Sequence, residues 1–271
     1  MVPTSLRNLT GFLETPPLWI HTQFGIPQFI VPSININRLK PNIVPENLRL
    51  GHKVEYYFRN CLSAQGNYEL LCHNIAIKKE NRTLGEIDFL LKDLQSQRII
   101  HVELTYKFYL IHTAFSEPIH QLVGPNKRDM FFTKMEKIKN EQFKILHSKE
   151  GLEVLRTLGV EGAEIAQEAC FKAQLFIPYG EPQVSIRPLN KACITGFWIR
   201  FDEFSTPEFD AYQYYIPLKD EWLLSPYNIN IWMTHYEVLL EVNIRMIKQR
   251  SPMVWIKKSD ATYEKFFVVW W

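Results

Sequence analysis

Residues 83–110 read TLGEIDFLLKDLQSQRIIHVELTYKFYL, and this stretch decides the fold. Two apolar runs, 84–91 and 99–110, flank a polar segment, 92–98, that breaks both patterns. Strand-forming side chains on either side of such a break predict a hairpin. Successive side chains on a strand point to opposite faces, so Glu86 and Asp88 share one face. Glu103, Thr105 and Lys107 likewise share one, with Leu104, Tyr106 and Phe108 opposite. Carboxylates and an ammonium thus stand among apolar neighbours, where a charge without a partner is very costly.

Two readings of the cluster stay open. In one, Asp88 and Glu103 hold a single Mg²⁺ or Mn²⁺ between neighbouring strands, because hard divalent cations take carboxylate oxygens and keep waters that suit phosphate substrates. Lys107 would then orient a water or steady charge on a phosphate. In the other, the cluster is a structural ion-paired group, Lys107 with Glu103, and Glu86 faces solvent.

Outward from the hairpin, the 3.6-residue spacing of Leu48, Leu50, Val54, Tyr57, Phe58, Cys61 and Leu62 predicts a helix over 45–64. Residues 68–79 read as a strand. Downstream, 128–147 predicts a helix through Phe131, Met135, Ile138, Phe143 and Ile145. Asn126 is expected to cap it, with Asp129 favourable at its positive end. A helix N-terminus also accepts phosphate, and Lys127 and Arg128 add charge there; a plain turn and cap is the alternative. Lys134, one to two turns into this helix, is expected to point toward the acidic face. The run KMEKIKNEQFK otherwise reads as a solvated face. A further helix is expected over 152–169 and a strand over 171–179.

The strings GHKVEYYF (51–58), TLGEIDFLL (83–91), HVELTYKFYL (101–110) and LVGPNKRDMFFTK (122–134) together resemble an uncharacterised bacterial family, domain-of-unknown-function family 1853, placed in the PD-(D/E)XK nuclease superfamily. SLRNL near the start and WLLSP near the end also fit. The resemblance implies an α/β restriction-endonuclease-like core of order αβββαβ. It gives Asp88 the role of metal-binding aspartate, Glu103 that of second acid, and Glu55 that of the helical glutamate found in many members, and it makes Lys134 a competitor of Lys107 for the cationic role. Read alone, Glu55 is an exposed helix residue paired with Arg59. The sequence departs from the pattern at Thr105, where E-x-K expects lysine. Lys107 lies two residues on, roughly 7 Å along the strand, on the same face. The implied activity is metal-dependent hydrolysis of DNA or RNA. The alternative is an inactive nuclease-fold protein that binds nucleic acid or a protein partner.

The 271 residues suffice for one large domain or two small ones. Aromatics make up 14% of the chain, and eleven glycines disfavour a glycine-rich phosphate loop. A net charge of +2 neither demands nor excludes nucleic acid, since a basic patch can hide in a neutral total. The four cysteines form no C-x-x-C pair, which argues against structural zinc, and GxSxG is absent. No apolar run is long enough to span a bilayer and no secretory signal is visible, so the cytoplasm is the expected compartment and a membrane is not an expected partner. The sequence leaves the oligomeric state open.

Three segments are expected. Residues 1–44 form a short helix, with Ser5 as cap, and an irregular arm. Residues 45–180 form the nuclease-like core. Residues 181–271 form an aromatic-rich α+β extension. Within that extension strands are expected at ITGFWIRF, YQYYIPL, MVWIKK and KFFVVWW, and a helix over 231–250. Its aromatics could stack bases, Trp198, Trp222 and Trp255 among them, or simply pack the core.

Overall fold

The structure, a computed structural model, describes residues 4–35, 44–181, 183–259 and 262–271. The side chain of Ser5 and residue Ile36 of the expected arm fall outside the described residues. The fold is mixed α/β, with parallel and antiparallel strand pairs. Contacts divide the chain into two compact units: Pro17–Tyr106 with Phe132–Lys172, and Met1–Pro16 with Lys107–Phe131 and Ala173–Trp271.

The first unit holds a two-stranded ribbon, Thr22–Gln23 with Ile26–Pro27, then a helix, three strands, two further helical segments and a strand. Its first helix is Leu50–Gln65, shorter at its start than the sequence predicts. It ends where Gly66 adopts φ 65°, a left-handed cap that glycine takes without strain. The strands Tyr68–Lys79 and Arg82–Asp93 pair antiparallel, and Arg82–Asp93 pairs antiparallel with Ile99–Ile111. Ile165–Pro178 follows next in sheet order. The turn between the second and third strands is closed by Asp93, whose carboxylate accepts the Gln95 and Ser96 N–H groups. Phe58 of the helix packs edge-on against Phe89, with ring centroids 4.8 Å apart.

Two expectations in this unit are corrected. The helix expected over 128–147 is α-helical only over Phe131–Lys137; Ile138–Gln142 is a π-helix and Phe143–His147 a 3₁₀ helix. The helix expected over 152–169 spans Lys149–Thr157, and the last strand begins at Ile165. Gly159 and Gly162, at φ 72° and 76°, turn the chain between them.

In the second unit, Ile194–Arg200 pairs parallel with Thr262–Val269 and with the end of Ile165–Pro178. Met253–Ser259 joins Thr262–Val269 antiparallel, and Gln213–Tyr215, shorter than expected, joins its other side. A Cβ on Gly196 would lie 1.9 Å from the Lys265 carbonyl oxygen, so only glycine fits this parallel pair. The helix His235–Ile247 starts at a capping box, Thr234 with Glu237, and packs Val238 and Val242 onto a core of Phe204, Tyr214, Val254 and Phe266. Trp255 is fully buried and Trp198 nearly so, both as core residues.

Candidate functional site

The pairing register builds the site. Phe89 faces Val102, Leu90 faces His101 and Leu91 faces Ile100. One step further along this antiparallel ladder sets Asp88 opposite Glu103, and directly opposed residues share a sheet face. There the Asp88 carboxylate takes the place of a ladder carbonyl: its Oδ2 accepts the Leu104 N–H at 3.0 Å. Asp88 and Glu103 are close enough to act on each other electrostatically, each carboxylate being fixed by its own donor, the Leu104 N–H for Asp88 and Gln142 for Glu103. Glu103 is fully buried, whereas Asp88 is partly exposed, so the pair opens to solvent on the Asp88 side.

Burial dominates the chemistry of the pair. It pushes Asp88 up to about 7, with the neighbouring Glu103 adding to the rise, and pushes Glu103 up to about 7 as well. The charge of Lys134 opposes both rises. Lys134 Nζ donates to Gln142 Oε1 at 2.9 Å, and Gln142 Nε2 in turn donates to Glu103 Oε2. A relay of lysine, amide and carboxylate thus ends on the buried acid. His101 Nε2 lies 3.2 Å from Glu103 Oε1, but the two are misaligned; neither atom has a hydrogen-bond partner among the described residues. Burial pulls His101 down to about 4, so its imidazole is neutral at pH 7.

Glu55 comes within electrostatic reach of Asp88, where its charge adds a small upward push. Its carboxylate binds Asn74 Nδ2 at 2.6 Å and lies 3.2 Å from His52 Nδ1, rather than pairing with Arg59. Glu86 is exposed. The Thr105 hydroxyl is buried without a hydrogen-bond partner among the described residues.

The remaining sequence candidates belong to the second unit. Lys107 Nζ donates to Asp129 Oδ2 at 2.5 Å, which replaces the expected pairing with Glu103. Asn126 caps no helix: its side-chain oxygen accepts the Ser251 N–H, and the helix begins five residues later, at Phe131. Lys127 lies over the Trp271 ring, 3.9 Å from its centroid, and Arg128 is exposed. The structure therefore brings together Asp88, Glu103 and Lys134, with Glu55 at the margin.

Sequence reading missed His101 and Gln142. The first carried a signal, since 101, 103 and 105 alternate on one face of a strand. The second carried none, because Gln142 closes a π-helical segment that the 3.6-residue pattern does not anticipate.

The donor set suits a hard divalent cation. Two carboxylates side by side, one with a buried oxygen lacking a hydrogen-bond partner, are what such an ion neutralises, and Mg²⁺ commonly takes one or two protein carboxylates and fills its other positions with water and phosphate. Among the described residues no group of three or more His, Cys, Asp or Glu is arranged to hold a metal ion.

Fold and site together define a mixed α/β protein with a coupled carboxyl pair on adjacent strands, governed by a lysine–amide relay. The family model described as a domain of unknown function (DUF1853) matches residues 35–268, and the chain belongs to that family. No curated protein and no solved structure matches the chain. Among the described residues no helix is long and apolar enough to cross a membrane.

Proposed function

We propose that this chain is a metal-dependent phosphodiesterase of the PD-(D/E)XK nuclease type, acting on DNA or RNA. The observation that carries the reading is the Asp88–Glu103 pair on adjacent antiparallel strands, both buried or half-buried and both within the electrostatic reach of Lys134. A Mg²⁺ or Mn²⁺ ion held by these two carboxylates would supply a Lewis acid and a bound water of lowered pKa. The Leu104 N–H fixes the Asp88 carboxylate, and Gln142 fixes that of Glu103. Lys134 is the cation best supported for steadying negative charge on a phosphate, because it already acts on both acids. Glu55 adds negative charge at the margin. Four free, buried cysteines suit a reducing compartment, and we propose the cytoplasm.

Purified protein with Mn²⁺ is expected to cut DNA or RNA. Asp88→Asn is expected to abolish cutting and the calorimetric signal of Mn²⁺ binding together. Undiminished cleavage by that variant would overturn the assignment.

One observation favours a second reading, a binding protein without turnover. Thr105 stands where the superfamily pattern has lysine, and the ammonium two residues on is committed to Asp129. Nucleic-acid binding that weakens steeply with salt, with no cleavage in either metal, would select this reading.

A further inference from the structure

The helix His235–Ile247 carries two apolar faces. One is spent on the core: His235, Val238 and Val242 are buried, and Leu239 and Met246 pack beside them. The other is bare: Tyr236 is 71% exposed, Leu240 51%, Ile244 49% and Ile247 77%, with Ile231 79% exposed just before the helix. Spacings of four, four and three residues keep the four helical side chains within an arc of about 80°. A surface helix of a globular protein ordinarily has one apolar stripe and a polar outer face. Here the outer face also holds a stripe, with charges displaced to its flank.

The arrangement of those charges indicates what covers the stripe. Glu237 and Glu241 stand in the first half of the helix, and Arg245, Lys248 and Arg250 at or beyond its second half. Parallel pairing of two such helices would set like charges together. Antiparallel pairing about a point between Leu240 and Ile244 sets Glu237 of each copy near Lys248 of the other, while Glu241 stays paired with Arg245 of its own helix. It also sets Leu240 of one copy against Ile244 of the other, and Tyr236 near Ile247. That is an isologous contact, in which one patch serves both partners. Five large side chains exposed to this degree present roughly 500–600 Å² of surface, at the top of the range for a monomer's largest apolar patch. Covered on both copies, the total is about 1,000–1,200 Å², the lower edge of what stable interfaces bury.

We propose that the chain forms a two-fold homodimer in which the His235–Ile247 helices of two copies pack antiparallel through Tyr236, Leu240, Ile244 and Ile247. The inference stands apart from the acidic site and does not depend on its chemistry.

Sedimentation velocity on the full chain, from submicromolar to submillimolar concentration, tests it. The expected species has twice the 32.1 kDa chain mass. Ile244→Lys is expected to return it to the mass of one chain with an unchanged circular dichroism spectrum, since Ile244 is half-exposed and its loss empties no core. Lys248→Glu, which sets acid against acid in the antiparallel arrangement, is expected to weaken association about tenfold. Asn243→Cys lies beside the two-fold point and is expected to cross-link the copies on mild oxidation. A monomer at every concentration, or a dimer indifferent to Ile244→Lys, overturns the proposal.

Discussion

Asp88 has two tasks, and substitutions can separate them. Its carboxylate belongs to the acidic pair, and its Oδ2 also satisfies the Leu104 N–H where the strand ladder ends. Asp88→Ala removes both, and leaving that amide without an acceptor is expected to cost about 1–3 kcal/mol of stability. Asp88→Asn keeps an acceptor and is expected to unfold within about 1 kcal/mol of the parent in urea, while binding Mn²⁺ no more. The two lysines also separate. Lys134→Ala is expected to lower cleavage about 100-fold, the scale of losing one preorganised charge-stabilising group. Lys107→Ala breaks only a half-exposed pair with Asp129 and is expected to leave cleavage within about twofold. Equal losses in the two variants would return Lys107 to the site.

Among the elements, the parallel pair at Gly196 is the least forgiving. Gly196→Ala drives a methyl group into a backbone carbonyl that has no rotamer to yield, and is expected to cost about 3 kcal/mol or more, read from the denaturation midpoint. Thr234→Ala removes the cap that accepts the Glu237 N–H, and is expected to cost about 1 kcal/mol. The hairpin was legible in the sequence because period-two alternation and a polar break are strictly local signals, and they placed Asp88 and Glu103 on adjacent strands. The segment 152–169 was not. Its Ala- and Glu-rich composition favours helix, but residues from Ile165 onward gain more by joining a sheet, and two glycines in left-handed conformations allow the change of direction. Lys134 was legible through its place in the expected helix and through the family strings, and Gln142 not at all, because a π-helical segment has no pattern in the amino acids that form it.

For the molecule as a whole, burial of ionisable groups writes two opposed slopes into the dependence of stability on pH. Asp88 and Glu103 rise from ordinary values of 3.8 and 4.5 to about 7 in the folded chain. Folding therefore favours their protonated forms, and in metal-free protein their contribution is complete below pH 4 and lost as pH rises through 7. Lys265 runs the other way. Buried between Gln174 Oε1 at 2.6 Å and the Leu224 carbonyl at 2.9 Å, it falls from 10.5 to about 7 through desolvation. Its folded state favours the neutral amine, so stability is complete above pH 10.5 and is lost as pH falls through 7. Denaturant midpoints across pH are expected to show both slopes, with Asp88→Asn flattening the acidic one and Lys265→Met the alkaline one. The same proton linkage predicts that Mn²⁺ binding tightens as pH rises through 7, because the ion must displace a proton from the pair.

The division of the chain carries a practical corollary. The backbone changes units four times, after residues 16, 106, 131 and 172, and two of those passages fall inside strands. The shortest continuous fragment that holds the first unit whole, residues 17–172, also carries 107–131 of the second, and the second unit spans the chain from end to end. A gene fragment ending anywhere between residues 107 and 172 would strand hydrogen-bonding edges whose mates are encoded downstream, so truncation products should precipitate instead of surviving as miniature domains.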